Sequence, residues 1–368
     1  MDFLRSILKF FKENAAINKR GFFSTFFKTT EEDYTETETV EIDIERAGNK
    51  VAPVVKNAKT GAVMISAEEF STKEYKPPVV PLAYPVDLYE LMKRQPGEKD
   101  TAAVGSWLGR LFNKLKKEFV RMHKMIKETV ELQASQILQT GKLVLKDEEN
   151  KETYELAYPV KESHFPTVVN SWGESGADPL ADIEALCNAI IDDGKVDPAN
   201  VIFGQNAWNN ALKNDKFKEA VKRDGLGLGA LNPVLKNRGG RYMGYIDVGT
   251  YRLDMWVYND SYETLADATK HRFMDKDKVI VTAAVEDLDF RCVFGGVPSL
   301  GMKEPFTSIM PSVIKYDGWL KINNRVYEDE KSDTYIAEAK SRPLCIPVSI
   351  DMFGCITTKA AWEFLWQK

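Results

Sequence analysis

Residues 100–140 of this 368-residue chain have the sequence DTAAVGSWLGRLFNKLKKEFVRMHKMIKETVELQASQILQT. Apolar side chains recur in this stretch at steps of three and four, apart from one longer step at the end: Val104, Leu108, Leu111, Leu115, Phe119, Met122, Ile126, Val130 and Ile137. This spacing is typical of one face of an α-helix. The charged residues between them predict a solvated or intersubunit side: Lys114, Lys116, Lys117, Arg121, Lys124, Lys127, Glu128 and Glu131.

The predicted helix has signals at both ends. Asp100 or Thr101 can cap its first turn, and Gly141 follows its last residue. At 1.5 Å per residue, a helix of about 40 residues is roughly 60 Å long, about three times the mean length in globular proteins. We therefore expect a spine helix that braces a flat or elongated body.

The composition bounds the class of protein. Hydrophobic residues make up 43% of the chain and charged residues 29%, which is enough for a sizeable core in about two or three lobes. The net charge of −5 argues against a protein that coats nucleic acid. No run of 18 apolar residues predicts a membrane span, and the first residues lack the features of a secretory signal.

Few residues carry the patterns of catalysis or metal binding. His123, His164 and His271 lack the spacing of a metal site, and His123 falls on the predicted polar side of the spine. We therefore expect His123 to be solvated or at an interface. The four cysteines form neither a paired framework nor a C-x-x-C motif, and they predict reduced thiols in a cytosolic setting: Cys187, Cys292, Cys345 and Cys355. The sequence predicts no catalytic, cofactor-binding or metal-binding residue.

The first 28 residues are basic and rich in aromatic side chains. Their apolar positions include Phe3, Ile7 and Phe10 on one helical face, followed by Phe22 and Phe26. Such a segment can lie on a membrane surface. The favoured hypothesis is an arm that covers its aromatic side chains on a neighbouring subunit. A strongly acidic stretch, residues 31–45, follows it.

Residues 40–86 predict a long β-excursion. Apolar and acidic residues alternate in 40–45, and further strand-like runs follow at 51–55 and 63–65. Four prolines then stiffen the return: Pro77, Pro78, Pro81 and Pro85. The excursion has too few apolar residues for a core of its own, and an isolated hairpin is marginally stable in water. We expect it to pack on something else.

The remaining sequence predicts strands interleaved with a few helices. A hairpin is predicted at 142–145 and 153–158, and a helix begins at Asp178-Pro179. A second helix is predicted at 207–223. The predicted strands are 201–203, two within 242–258, 279–285, 335–339, 344–350 and 355–357. This arrangement is α+β.

The order of these elements resembles the tailed-phage major capsid protein, E family, with the Hong Kong 97-type capsid fold. Several stretches are similar to that family: VEIDIE at 40–45 leading to VAP at 51–53, ELQASQILQTGK at 131–142, DPLADI at 178–183, VIFGQNAW at 201–208, and the run from 335 to 347 that contains SRPL at 341–344. The resemblance covers roughly residues 35–358.

The resemblance implies a domain organisation and a function. It implies an N-terminal arm at 1–38, an extended loop at 39–97, a peripheral domain with the spine helix and β-hairpin at 98–177, an axial domain at 178–318, and return strands of the peripheral domain with a C-terminal tail at 319–368. The implied function is a structural one, self-assembly into the icosahedral shell around a double-stranded DNA phage genome. The implied partners are other copies of the chain in pentamers and hexamers, a separate scaffolding protein, a portal and a decoration protein. The implied location is the virion capsid, assembled in the host cytoplasm.

The side chains expected to contact neighbouring subunits come from the arm and the extended loop. They are Phe3, Ile7, Phe10, Phe22, Phe26, Lys56, Lys59, Met64, Phe70 and Tyr75. The alternative hypothesis is a membrane-associated scaffold that uses the basic amphipathic N-terminal helix. An enzyme is a third hypothesis, supported only by the length of the chain.

Overall fold

The computed structural model describes residues 20–44, 71–87, 89, 107–146, 153–223, 239–264, 269–298, 313–316, 319–329 and 334–360. The α-helices within these ranges are α1 Trp107–Thr140, α2 Pro179–Gly194, α3 Gln205–Ala211 and α4 Asp215–Arg223. The strands are β1 Val40–Ile44, β2 Ser71–Tyr75, β3 Val80–Asp87, β4 Lys142–Lys146, β5 Thr153–Ala157, β6 Pro198–Phe203, β7 Gly240–Val248, β8 Tyr251–Tyr258, β9 Ser261–Glu263, β10 Lys270–Arg272, β11 Lys278–Ala283, β12 Phe290–Phe294, β13 Val313–Tyr316, β14 Leu320–Asp329, β15 Thr334–Ser341, β16 Pro343–Pro347 and β17 Phe353–Thr357.

The chain divides into two units, which are described one at a time. Unit 1 comprises Met1–Val40, Tyr75–Ala134 and Arg291–Ile346. Unit 2 comprises Glu41–Glu74, Ser135–Phe290 and Pro347–Lys368. Among the residues that the structure describes, no helix is both long enough and apolar enough to cross a membrane.

Helix α1 confirms the predicted spine over its 34 described residues. The members of the apolar stripe whose side chains the structure describes are buried and at most 5% exposed: Leu111, Leu115, Phe119, Met122, Ile126, Val130 and Ile137. The helix ends where Gly141 adopts a φ of +65° and donates its N–H to the carbonyl of Ile137 at 2.8 Å. A left-handed residue at this position is the usual helix stop, and glycine adopts it without steric cost. The predicted cap at residues 100–101 lies outside the described residues.

The prediction that His123 is solvated or at an interface is wrong. The side chain has no exposed surface, and its Nε2 donates to Asn324 Oδ1 of β14 at 2.8 Å. Burial lowers the pKa of His123 to about 4. The apolar stripe underestimates the buried width of α1, because a polar side chain can be buried once it has a hydrogen-bond partner.

Unit 1 contains a four-stranded antiparallel sheet in the order β13-β14-β15-β3. Leu320, Ile322 and Val326 alternate along β14 and are buried. The residues expected to form a stiff return are strand β3, at the edge of this sheet. An edge position tolerates Pro81 and Pro85, because they lie four residues apart and their nitrogens face the same side of the strand.

Unit 2 is built on a five-stranded sheet in the order β17-β11-β6-β8-β7, in which only the β6–β8 pair is parallel among its described strands. Its core includes Ile183, Leu186 and Ile190 of α2 with Val201 and Phe203 of β6. Helix α2 begins at the predicted Pro179, and the Asp178 side chain accepts the Ala181 N–H. The predicted hairpin is confirmed as the antiparallel pair β4–β5.

The prediction of one helix at 207–223 needs a correction. Two helices, α3 and α4, occupy this stretch and are interrupted at residues 212–214. The Asn214 side chain accepts the Phe217 N–H at 3.1 Å and donates to the Ala177 carbonyl at 2.8 Å. An asparagine that caps a new helix in this way competes with continuation of the old one.

Leu115→Asp should make the chain insoluble or grossly destabilised. The substitution puts a carboxylate into a buried apolar stripe, where desolvation without a partner costs several kcal/mol. Asn113→Asp adds the same charge on the exposed side of α1 and should behave like the wild type in solubility and melting. A soluble Leu115→Asp chain with wild-type melting would contradict the helix register.

The stability of unit 1 should fall as the pH drops from 6.5 towards 4. The folded pKa of His123 is depressed, so the unfolded state binds the extra proton first and acid favours unfolding. The full difference corresponds to about 3 kcal/mol. The free energy of unfolding, measured by chemical denaturation at several pH values, should change less steeply with pH for His123→Gln than for the wild type. The glutamine amide can still donate to Asn324. His271→Gln, at an exposed position, should keep the wild-type slope. If the free energy of unfolding changes equally with pH in all three proteins, His123 is not the cause of the loss of stability in acid.

Candidate functional site

The N-terminal segment, residues 20–37, is part of unit 1 and packs against the rest of that unit. It is the candidate functional site. Phe22, Phe23, Phe26 and Phe27 have no exposed surface. Phe22 meets Phe23 and Phe26 edge to face, with ring centroids 5.4 and 6.0 Å apart. A fully buried side chain of this type contributes about 1.5–3 kcal/mol. The aromatic cluster is therefore part of the interior of its own chain.

Glu131 of α1 holds the start of this segment. Its Oε1 accepts the Phe23 N–H at 2.8 Å and its Oε2 accepts the Ser24 N–H at 2.9 Å. These amides begin the 3-10 turn Phe23–Thr25, whose N-cap residue supplies no side-chain acceptor. The carboxylate of Glu131 takes that role from another element. A Cβ on Gly21 would overlap the Glu131 carboxylate, so a larger residue at this position would push that side chain out of its present place.

The carboxyl group of Glu131 is almost completely buried. Burial raises its pKa, and the hydrogen bonds from Ser24 and Phe23 act in the opposite direction. A hydrogen bond to a charged acceptor contributes roughly 1.5–3 kcal/mol, compared with about 0.5–1.5 kcal/mol for a neutral one. Two such bonds offset much of the cost of burying the carboxylate.

Arg20 closes the other end of the same turn. Its Nη1 donates to the Ser24 carbonyl at 3.2 Å and also to the Phe27 carbonyl. The guanidinium carbon lies 5.1 Å from the centroid of the Trp319 ring, within cation–π range. Burial lowers the pKa of Arg20. Glu131 thus accepts the first N–H groups of the turn, and Arg20 adds a charged donor at its other end, where the Phe27 N–H also donates to the Ser24 carbonyl.

Residues 28–37 then run beside β12 of the same unit. Cys292 N–H donates to the Lys28 carbonyl at 2.8 Å, and Thr35 N–H donates to the Phe294 carbonyl at 3.0 Å. Tyr34 stacks on Phe294 with a centroid separation of 5.5 Å. Burial raises the pKa of Tyr34 to about 12. The segment therefore continues the strand pairing of unit 1 on the β12 side.

Arg342 fastens the two chain segments that lead to and from the excursion. Its Nε and Nη2 donate to the Pro77 carbonyl at 3.1 and 2.9 Å, and its Nη1 donates to the Gly296 carbonyl at 3.2 Å. The Glu38 carboxylate lies 3.7 Å from Arg342 and 2.7 Å from Lys76. The hydrogen bond from Lys76 lowers the pKa of Glu38. Arg342 belongs to the SRPL motif at 341–344, and the structure gives this arginine a physical role.

Polar side chains in the motif at 131–142 repeatedly bind backbone groups. In unit 1, Gln133 donates to the Pro343 carbonyl and accepts the Cys345 N–H, both at 3.1 Å. In unit 2, Gln139 donates to the Phe273 carbonyl and accepts the Asp275 N–H, both at 2.8 Å. An amide side chain that both donates and accepts fixes the position of the strand or loop it faces.

The predicted intersubunit residues have different outcomes. Phe22 and Phe26 are fully buried, and Tyr75 is 4% exposed, so their own chain already covers them. The expectation that the Phe22 and Phe26 rings depend on a neighbour for cover is therefore corrected, because the contacts of Glu131 and Arg20 hold them inside unit 1. Contacts of these three residues with other subunits stay a prediction. The other seven lie outside the described residues, and their contacts stay a prediction: Phe3, Ile7, Phe10, Lys56, Lys59, Met64 and Phe70.

The prediction that Glu131 lies on a solvated or intersubunit side of the helix is wrong, since it is buried, and the sequence assigned no role to Arg342. Both are charged, and a charged residue between apolar positions predicts exposure when its partner is unknown. Gly21 was the available signal for Glu131, since an isolated glycine can mark a close approach of backbone to another group.

A further polar cluster lies in unit 2. His164 is buried, with Nδ1 2.8 Å from the Phe353 carbonyl and Nε2 3.0 Å from Asp193 Oδ2. Lys161 also forms an ion pair with Asp193, and its hydrogen bond lowers the pKa of the Asp193 carboxyl. Both ring nitrogens of His164 therefore face structural partners. Within the described ranges, no group of three or more histidine, cysteine or acidic side chains is arranged to hold a metal ion.

The α+β fold is that of a phage-type capsid protein. It is similar to a crystal structure assigned to a prophage capsid protein of Escherichia coli CFT073, with a TM-score of 0.61 and 17% identity over 96% of this chain and 98% of that chain. Two further structures overlap less. They are the procapsid of satellite phage P4 with its size determination protein (TM-score 0.43, 10% identity, 91% and 94% coverage) and a phage-related protein of Bordetella bronchiseptica RB50 (0.43, 15%, 83% and 82%). Comparison with curated protein sequences gives no match.

The chain belongs to the phage major capsid protein E family, whose model matches residues 13–357. It is a phage major capsid protein, a structural component, and the family places it in the capsid of the virion. The alternative hypothesis of a membrane-associated scaffold receives no support from the family match.

Glu131→Gln should destabilise the chain by about 2–4 kcal/mol, because the amide can accept one of the two N–H groups and turns its own donors towards the other. Glu128→Gln removes the same charge from a less buried position on α1 and should change stability by less than about 0.5 kcal/mol. Urea denaturation of both variants measures the difference. Equal stability of the two variants would mean that Glu131 does not anchor the segment.

Proposed function

We propose that many copies of this chain assemble, in the host cytoplasm, into a closed icosahedral shell around the double-stranded DNA of a tailed phage. The family match over residues 13–357 is the observation that carries this proposal. A general property of repeated subunit contacts is consistent with this proposal. Contacts that repeat head to tail and close by rotation make rings, and rings of five and six close a shell.

The proposed parts of the subunit follow the resemblance. They are an N-terminal arm at 1–38, an extended loop at 39–97, a peripheral domain at 98–177 with its return strands and tail at 319–368, and an axial domain at 178–318. Four of the described strands pair across these bounds. Strand β17 of the proposed return pairs with β11 in the sheet of unit 2. Strands β12 and β13, within the proposed axial domain, pair with β16 and β14 of the return, and β3 of the proposed extended loop pairs with β15.

The described residues of the proposed extended loop form its base. At the base, β1 pairs with β2, Tyr75 is buried, and Arg342 binds the Pro77 carbonyl. We propose that the tip contacts other subunits through Lys56, Lys59, Met64 and Phe70. Each contact can be weak, because every subunit in a lattice makes several and the particle is held multivalently.

The charge of the chain suits a container. A net charge of −5 limits non-specific attraction to packed DNA, which a strongly basic wall would retain. The proposed partners are other copies of the chain, a separate scaffolding protein, a portal and a decoration protein, with the DNA enclosed and not bound by sequence.

Negative-stain microscopy of the overexpressed chain tests the proposal. Closed shells, tubes or flat sheets are the expected result, because curvature errors still leave lattice contacts intact. A uniform field of small particles, unchanged across protein concentrations and salt, would contradict self-assembly.

Replacing residues 46–69 with a short Gly-Ser turn should leave a folded subunit that fails to form shells. The replacement keeps β1, β2 and the Arg342 contact, so circular dichroism and melting should stay close to wild type. A length-preserving variant with Lys56, Lys59, Met64 and Phe70 changed to Ser separates the loss of contacts from the loss of length. Normal shells from both variants would contradict the assignment of this loop as an intersubunit element.

A further inference from the structure

Cys292 and Cys345 lie in the middle of two paired strands, β12 and β16. Gly295 N–H donates to the Arg342 carbonyl at 3.0 Å, and Val348 N–H donates to the Asp289 carbonyl at 3.0 Å. Both bonds fit one antiparallel register. Cys292 is three residues from Gly295 and from Asp289, and Cys345 is three residues from Arg342 and from Val348. In this register the two cysteines are directly opposite each other.

The same register places the cysteines at a non-hydrogen-bonded pair. Hydrogen-bonded and non-hydrogen-bonded pairs alternate along an antiparallel ladder, so a pair three steps from a bonded one is not bonded. The backbone contacts agree. Cys292 N–H donates to the Lys28 carbonyl and Cys345 N–H donates to Gln133 Oε1 at 3.1 Å, and neither faces the other strand. Pro343 and Pro347, two residues from Cys345 on either side, have no N–H to offer the ladder.

Residues at such a pair have Cα atoms about 4.5 Å apart, which falls within the range of about 4.4–6.8 Å that a disulfide needs. The two thiols are within hydrogen-bonding reach of each other, and Cys345 Sγ also contacts the Val130 carbonyl at 3.9 Å. Neither cysteine is in a disulfide, and both are at most 1% exposed. The other two cysteines, Cys187 and Cys355, are also buried and free, but both belong to unit 2.

We propose that Cys292 and Cys345 are a dormant disulfide site, reduced when the subunit folds and joined when the particle meets an oxidising medium. The oxidant is a small-molecule disulfide such as oxidised glutathione. One cysteine thiolate attacks a sulfur of that disulfide and releases a small thiolate, and the second cysteine then attacks the mixed disulfide and releases the other. The two protein thiols lose two protons and two electrons, and the small disulfide gains them and becomes two small thiols.

Burial sets the conditions of this step. It raises the pKa of the Cys345 thiol, so the reactive thiolate is scarce while the unit is closed. Oxidation therefore requires a transient opening of β12 and β16. The bond would then tie these strands together across the 53-residue span between the two positions in the sequence. Closing a loop of this size restricts the unfolded chain and raises the melting temperature.

Peptide mapping of the purified, unassembled chain tests the bond. The chain is incubated with oxidised glutathione in urea below the unfolding midpoint, alkylated and digested without reductant. We expect a peptide pair joined through Cys292 and Cys345, and a melting temperature raised by roughly 5–10 °C that dithiothreitol reverses. Cys292→Ala should lose both effects, whereas Cys187→Ala should keep them.

Several outcomes would overturn the proposal. They are four alkylated thiols after oxidation, bonds that involve Cys187 or Cys355, or bonds between chains. Peptide mapping of the oxidised wild-type chain tests the Cys292–Cys345 bond even if a cysteine variant fails to fold.

The timing of the bond rests on the proposed function, and it has its own test. Particles isolated under alkylating conditions directly from cells should carry free Cys292 and Cys345, and particles held in oxidised glutathione should carry the bond. A bond already present in the intracellular particle would contradict the timing. Failure of the chain to form particles would contradict the proposed function and would leave the result on the unassembled chain standing.

Discussion

The buried carboxylate of Glu131 is the contact on which the packing of unit 1 depends. It accepts the backbone N–H groups of Phe23 and Ser24, which are more than one hundred residues away in the sequence. A buried carboxylate without partners would cost several kcal/mol, and so would the two amides without an acceptor. Each therefore requires the other. This mutual requirement brings the N-terminal phenylalanine cluster into the interior, where Arg20 completes the enclosure from the Trp319 side.

The same principle recurs along α1. Burial of its apolar stripe stabilises the packing but does not select one alignment, because the hydrophobic effect is non-directional. The hydrogen bonds of its buried polar residues fix the alignment of the helix with its partners. Gln133 binds the backbone on both sides of Leu344 in unit 1, and Gln139 binds the backbone around Met274 in unit 2. Each of these bonds can form in only one alignment of helix and partner. A long helix thus positions its neighbours within each unit through a few side-chain amides and acids.

The sequence alone predicts the periodic parts of this structure. The stripe of α1, the stop at Gly141, the β4–β5 hairpin and the start of α2 at Pro179 all follow from local patterns. The resemblance to a capsid family follows from the order of the elements and is confirmed. The interruption between α3 and α4 was missed, because it depends on a contact of Asn214 with the distant Ala177.

The residues of the candidate site were harder to predict, for one physical reason. Glu131, His123 and Arg342 are polar, and polarity predicts exposure unless a partner is known. Their partners are Phe23, Asn324 and Pro77, all far away in the sequence. The pairing of Cys292 with Cys345 is of the same kind, since it needs the register of β12 against β16. Side chains whose role is to bind distant backbone leave no local pattern.

Amide hydrogen exchange of the unassembled subunit tests most directly whether the N-terminal segment folds on its own chain. The account predicts that the Phe23 and Ser24 amides are protected before any assembly, to a degree comparable with amides in the middle of α1, because Glu131 and the buried aromatic cluster already enclose them. Exchange of these two amides at the rate of an unfolded peptide, with protection gained only in the assembled shell, would show that a neighbouring subunit supplies the cover and would contradict the account.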